Sequence, residues 1–571
     1  MDRNTTLAFA LSMIVFVLYV MYQEDQRSQL PIEVSEEQHQ AFESAGGREG
    51  IDEYEYRDTD EPTPAPAASR VAAADKPFKP ANDIALRTLV LRNDSVIAEI
   101  SNGPAMISGW SLIDYEEFVD EGSRPIKLVH ENHSVLRTEI SGIPGTTFAD
   151  AHYEVVRQSA REIVQRAESA AGTLTRTLRL DENGYGFDLE VEFRNGRADP
   201  IDAGFEIVWP QEVTDREDFR ELSLLAYGEE AGVTRTMIQG VGQTGMLSSL
   251  GFGGDVVDGV ERVEGRSQWA GFDIQYFTGV VIDPRPSPRF RVTFSPVVKS
   301  ESGEVRAALP NVTVSSGQAF SETLRGFIGP KTTEALANAG NGLNHSVNRG
   351  FSWLEPLTRF FEITLDKLYQ YIPNYGLAII VLTILVRICT APLMAKQMRS
   401  AERMRELQPR MKELQERYKD DRQKQSEATM KLYREEKVNP VAGCLPLLLQ
   451  FPVLIGLFYA LRSSIGLRHA PFALWINDLS QPATLFVVPG IDFPIRLLPL
   501  VMGASMYVQQ KMTPTTGMDP TQARMMLIMM PAMMLFISYT FPSGLVLYWT
   551  VSNLLGIAQQ YWIRSQRQPT S

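Results

Sequence analysis

Between residues 375 and 394 the chain reads YGLAIIVLTILVRICTAPLM, an apolar run of membrane-spanning length with a single charge, Arg387. In hydrocarbon every backbone N–H and C=O must be satisfied within the segment, so a run of about 20 such residues is confined to an α-helical span. Four more apolar runs follow, at about 443–461, 494–510, 525–541 and 544–562. Another, TTLAFALSMIVFVLYVMY, occupies 5–22. No small-residue cleavage site of the A-x-A kind ends that first run, so residues 1–23 read as a retained signal anchor, with a removed signal peptide as the alternative. The expected fold class is therefore a membrane α-helical protein of six spans, five of them in one C-terminal core at 373–563.

Between the first span and that core the pattern changes three times. Residues 24–80 hold 14 Asp/Glu against 6 Lys/Arg and a Pro-Ala stretch at 61–68. Such a segment has too little apolar surface to offset its ordering entropy, and it reads as a disordered acidic linker. From 81 to 345 the period becomes two: Phe187, Leu189, Val191 and Phe193 alternate with Asp188, Glu190, Glu192 and Arg194. Phe290, Val292 and Phe294 alternate in the same way, and Asn-Gly at 183–184 and 195–196 and the Pro-rich 284–288 supply turns. These are strands with one buried face, in number enough for one large all-β sandwich. At 350–372 the period is helical, with Phe351, Leu354, Phe361, Leu365, Leu368 and Ile372 on one face and Glu355, Arg359, Glu362 and Asp366 on the other. Placed just before a span, this helix is expected in the membrane interface; a helix packed on the β domain is the alternative.

Residues 395–440 carry 13 Lys/Arg and 9 Asp/Glu with helical periodicity broken near Asp420 and Asp421. Two antiparallel helices with a short turn fit that pattern, and the basic excess places the hairpin in the cytoplasm. Counting spans from there puts the β domain outside and both termini, including the short tail at 564–571, inside. The two cysteines, Cys389 and Cys444, lie in apolar runs and read as small buried thiols.

Arg387 has no acidic residue in its own span, and an arginine at mid-membrane costs about 2.5–3.5 kcal/mol on insertion scales. Two readings stand. The side chain can snorkel towards the cytoplasmic side marked by Lys396, or it can face a wet, protein-lined cavity. Thr383 lies one turn earlier on the same face; Gln450, Gln509, Gln510, Trp549 and Asn553 interrupt other spans. Individually these are ordinary interhelical hydrogen-bonding residues, and together they outline a hydrated groove. Met525, Met526, Met529, Met530, Met533 and Met534 give the fourth core span a flexible apolar stripe suited to varied partners, or simply to packing.

Enzyme signatures are poor. At Gly240–Leu247 (GVGQTGML) a phosphate loop would need Lys and Ser/Thr where Met246 and Leu247 stand, and His130–His133 (HENH) lacks zinc-helix spacing. None of the six histidines lies in a span. The residues point to no enzyme, no cofactor and no metal. A net charge of -14 argues against sequence-specific nucleic-acid binding.

Several segments then carry a family resemblance: Val386-Arg387 with Ala391-Pro392-Leu393, Glu436–Cys444 (EKVNPVAGC), Ala470–Ile476 (APFALWI), Gln510–Thr516 (QKMTPTT) and Phe541–Tyr548 (FPSGLVLY). Region 350–562 resembles the bacterial YidC membrane-protein insertases, and the long β domain and extra N-terminal span are similar to their Gram-negative form. That resemblance implies a periplasmic β-supersandwich and a multi-pass location in the bacterial inner membrane. It implies a groove open to cytoplasm and lipid in which Arg387 attracts the hydrophilic part of an incoming protein. Thr383, Gln450, Trp549 and Asn553 are expected beside it, and Met526, Met529, Met530 and Met533 along an apolar slide. The implied partners are nascent membrane proteins, the Sec translocon, the ribosome and the signal-recognition receptor. Members with a long basic C-terminal tail bind ribosomes through it; RSQRQPTS at 564–571 is not such a tail. Two other functions remain open on the residues alone, a small-anion transporter and a membrane scaffold for the β domain.

Overall fold

The structure is a computed structural model that describes residues 84–118, 123–130, 134–143, 148–212, 222–238, 259–297, 302–418, 421–436, 445–490, 493–512 and 520–565. The anchor expected at 1–23, the linker at 24–80, the tail at 566–571 and Cys444 lie outside the described residues, as do the side chains of 393–402 and 445–451.

The alternating segments form two facing antiparallel sheets. The larger, 10-stranded, runs in the order Thr88–Arg92, Val96–Ser101, Ala105–Glu116, Val135–Ser141, Ile201–Glu212, Ser302–Ala308, Arg291–Val297 and Glu261–Arg262, with two further strands on its flanks. The second, 9-stranded, centres on Phe277–Ile282, Ala319–Pro330, Gly186–Asn195 and Gly172–Leu180. Phe187, Leu189, Val191 and Phe193 all point into the space between the sheets, as the period-two pattern requires. Opposing aromatics fill that space: Phe205 stacks on Phe320 with ring centroids 4.8 Å apart, and Trp209 meets Phe272 edge-on at 5.4 Å. The Trp110 indole N–H crosses between sheets to the Ile328 carbonyl at 3.0 Å.

Turn chemistry fits the connections. Gly184 takes φ +90° in the hairpin between Gly172–Leu180 and Gly186–Asn195, a conformation that favours glycine. The Pro-rich 284–288 carries the chain from the smaller sheet to the larger. Arg289 pins it there, donating to Asp283 at 2.7 Å and to Glu322 at 2.9 Å, two buried carboxylates. Arg176, completely buried, is a surprise inside the sandwich. Its guanidinium donates to the Gln165 amide oxygen at 2.7 Å and to the carbonyls of Pro104 and Gly103 at 2.8 and 2.6 Å, and lies 3.6 Å from the Tyr153 ring centroid.

Helix α1 (Thr333–Ala339), capped by the Thr332 hydroxyl, leads out of the sandwich. A buried Lys331–Asp273 pair at 3.0 Å, with Arg235 bridging Asp273 and the Ser346 carbonyl, secures this exit. Helix α2 (Glu355–Tyr371) follows. Its Phe361 and Leu365 pack into the helical core against α3 (Tyr375–Glu406) and α6 (Leu445–Ser463). The apolar face read from sequence is thus occupied by protein, and Phe360 and Ile363 are exposed.

Helices α4 (Gln408–Arg417) and α5 (Arg422–Glu435) lie antiparallel, and residues 419–420 between them, with the break expected at Asp420, lie outside the described residues. Asp421 caps α5 through Lys424 N–H at 3.0 Å, and Leu407 packs on Tyr433. Helices α7 (Leu497–Met512), α8 (Pro520–Ser538) and α9 (Ser543–Ser565) complete the core, with α9 against both α3 and α7. Among the described residues one segment, Tyr375–Pro392, is long and apolar enough to cross a bilayer on length and composition; Pro452–Ser463 and Arg524–Ser538 are shorter apolar helices. One reading needs correction: Cys389 is exposed, not buried, because it shares the outward face of α3 with Leu385 and Ile388.

Candidate functional site

Helices α3 and α9 start side by side on one irregular segment, 468–482. Asn374 caps α3, accepting from the Leu377 N–H at 3.0 Å, and its amide donates to the Phe472 carbonyl at 3.2 Å. At the start of α9 the Ser543 N–H donates to the Gln481 carbonyl at 2.9 Å and its hydroxyl to that of Asp478 at 2.8 Å. Asp478 in turn accepts from Ser480, and Leu479 donates back to Ala470. The segment is therefore a hydrogen-bonded plug across one end of the α3–α9 pair. It also touches the β domain, where Arg468 donates to the Glu116 carbonyl at 2.7 Å.

About 18 Å along α3 from that end, at 1.5 Å per residue, stands Arg387. Its Nε donates to the Ser552 hydroxyl at 3.1 Å, and Nη2 donates to the same hydroxyl at 2.7 Å and to the Ser552 carbonyl at 2.6 Å. Among the described residues no carboxylate forms an ion pair with it. The guanidinium is half-buried and its hydrogen bonds go to neutral oxygens, so its charge is solvated locally but not cancelled. Gly556, one turn beyond Ser552, makes room for Gln509: a Cβ there would lie 2.6 Å from Gln509 Nε2 and, at ordinary contact distance, 3.5 Å from Arg387 Nη2. Arg387, Gln509, Ser552 and Gly556 thus converge at the meeting of α3, α7 and α9.

The other residues singled out from sequence take different places. Thr383 is on the expected face but buried, its hydroxyl donating to the Ile379 carbonyl of its own helix at 2.6 Å. Asn553 bridges α9 to α7 through the Ser505 hydroxyl at 3.2 Å. Trp549 is half-buried with its ring centroid 5.8 Å from that of Phe541. Gln450 lies on the described backbone of α6, its side chain outside the description. The methionines divide: Met529 and Met533 are exposed, Met526 and Met530 half-buried. They flank a close crossing, since a Cβ on Gly503 of α7 would sit 3.3 Å from Leu535 of α8.

Ser552 and Gly556 were not singled out by sequence reasoning. Their signal was available, because Ser-x-x-x-Gly inside an apolar helix is a small-xxx-small pattern that lets another helix come close.

Two family models match the chain. One described as "60Kd inner membrane protein" covers residues 367–570, and one described as "YidC periplasmic domain" covers 88–363. A "Membrane protein insertase YidC" of Syntrophus aciditrophicus (strain SB) is 34% identical over 478 residues, 81% of each chain. Its counterpart in Geotalea daltonii is 32% identical over 515 residues, 87% of this chain and 91% of that one. A solved structure described as "Active YidC insertase crystal structure with the first transmembrane domain resolved" is 17% identical with a TM-score of 0.35, covering 86% of this chain and 95% of its own.

Proposed function

Since the chain belongs to the YidC family of membrane protein insertases, inner-membrane proteins with a periplasmic domain, we propose that it receives its clients at Arg387. The family acts on nascent membrane proteins and is not a family of enzymes. The observation that carries this reading is an arginine that, among the described residues, donates to the neutral oxygens of Ser552 and forms no ion pair. A fixed counter-ion would occupy the place meant for a passing carboxylate. An uncancelled charge in a low-dielectric groove attracts an acidic or polar client segment more strongly than the same charge in water.

Insertion then proceeds in three steps. The client's polar segment enters beside Arg387, near Thr383, Gln450, Trp549 and Asn553. Its apolar segment passes along Met526, Met529, Met530 and Met533 into lipid, and that burial supplies the driving force. The membrane potential favours outward movement of an acidic tail by about 2.3 kcal/mol per charge per 100 mV. Arg387 performs no covalent chemistry.

The same reading gives the chain six spans with both termini in the cytoplasm, the segment 468–482 closing the groove on the periplasmic side, and α2 in the outer interface. The α4–α5 hairpin is the first cytoplasmic contact for the ribosome and the signal-recognition receptor, and the Sec translocon is a partner at the lipid-facing side.

A photo-activated cross-linker at 383 or 549, in membranes carrying stalled nascent chains, tests the groove. Adducts to the apolar segment of the client are expected at both positions. Their absence, with adducts obtained from a control site in the β domain, would sink the reading.

A further inference from the structure

Ser552 contributes two oxygens to one guanidinium. Its hydroxyl and its carbonyl are reached by the same Nη2, at 2.7 and 2.6 Å. A helical carbonyl already accepts from the N–H four residues on, here Gly556, so Arg387 uses the remaining lone pair. One turn of α9 therefore supplies a hydroxyl, a carbonyl and a missing side chain, and Arg387 and Gln509 meet there. Ser552 itself is buried.

We propose that Ser552 and Gly556 form an internal cradle that holds Arg387 between clients and sets how acidic a client segment must be to take the guanidinium. Ser552 is then a specificity-determining positioning residue. The inference rests on the reading of Arg387 as the client's receptor. A hydroxyl and a carbonyl are neutral acceptors, whereas a carboxylate adds the attraction of an opposite charge and can accept two parallel bonds from the guanidinium fork. A client carboxylate exchanges with the Ser552 hydroxyl at a gain, whereas a neutral polar tail gains nothing by the exchange. A weaker cradle would admit less acidic clients and discriminate less.

The test uses the full chain in proteoliposomes and single-span clients whose tails carry none, one, two or three aspartates. Protease protection reads the initial rate of tail translocation. For the parent the rate should climb with aspartate number. Arg387→Ala should flatten that dependence; if it keeps the parent slope, the receptor reading itself fails. Given a flat Arg387→Ala, Ser552→Ala should raise the one-aspartate rate by about tenfold or more, since both bonds from the charged guanidinium to the hydroxyl are lost. Ser552→Thr keeps the hydroxyl and should track the parent, while Ser552→Asp supplies an internal counter-ion and should demand more aspartates. Gly556→Ala, which displaces the Gln509 amide from beside Arg387, is the second variant and should shift the series in the direction of Ser552→Ala. A flat Arg387→Ala with Ser552→Ala and Gly556→Ala both superimposed on the parent would overturn the cradle and leave the receptor reading intact.

Discussion

Arg387 and Ser552 are joined by three hydrogen bonds, two to the hydroxyl and one to the backbone carbonyl, across the contact of α3 with α9. That arrangement reconciles two requirements in conflict. A charge inside a membrane protein must be solvated, and a receptor for acidic segments must not be neutralised. Serine and a carbonyl do the first without the second.

Arg387→Lys is expected to separate charge from shape. Lysine keeps the positive charge but presents a compact ammonium, which cannot reproduce the planar fork that now spans Ser552. Insertion of a strongly acidic client should survive in part, and Arg387→Gln should lose it. Protease protection of the client tail in proteoliposomes checks both; equal loss in the two variants would contradict the electrostatic account.

Gly376→Ala should loosen the plug at 468–482. A Cβ on Gly376 would lie 2.0 Å from Phe472 Cδ2, so the Phe472 ring must move. Overpacking of this kind costs typically about 1–3 kcal/mol. Limited proteolysis should cut the 468–482 segment faster in the variant, with the β domain unaffected.

Arg176→Met should destabilise the sandwich strongly. The substitution removes the fully buried guanidinium and strands the carbonyls of Gly103 and Pro104 and the Gln165 amide oxygen. Groups left unsatisfied in a core cost about 1–3 kcal/mol each, so the loss should reach about 3 kcal/mol or more. Thermal unfolding followed by near-ultraviolet circular dichroism of the aromatic core measures it.

Glu206 makes the β domain's stability depend on pH. Partial burial raises its carboxyl pKa above the ordinary range, Arg306 opposes the shift, and Glu139 and Glu304 add to it. A carboxyl whose folded pKa is raised binds its proton more tightly when folded, so stability falls as pH rises through that folded pKa. Glu206→Gln lacks the ionisation. Its unfolding temperature should gain on the parent's as pH rises above the ordinary glutamate range, and a constant difference would contradict the assignment.

Much of this architecture was legible because it follows from periodicity. Phe187 to Phe193 alternate into a sandwich core, Asp421 caps the second hairpin helix, and the run around Arg387 is a helix. The site was legible only in part. Thr383 is on the face with Arg387, as four-residue spacing demands, yet its hydroxyl bonds its own helix. The apolar face of α2 was found but its partner was not, since an amphipathic pattern states that a face is covered and not by what. The face of Arg176 was legible and its partners were not: it shares the parity of Leu174 and Leu178 in an alternating strand, but nothing local names Gln165, Gly103 or Pro104 as its acceptors.

The sequence by itself determined that this chain has a membrane-embedded helical part and a β domain, and that one arginine stands in an apolar span. Those are local facts of composition and period, set by the solvent each segment must satisfy. Only the tertiary structure decided what Arg387 touches. Ser552 is 165 positions away in the chain, and the contact depends on α3 and α9 being tied at one end by 468–482. Pairings of that kind arise from packing between distant segments, so neither helix alone encodes them.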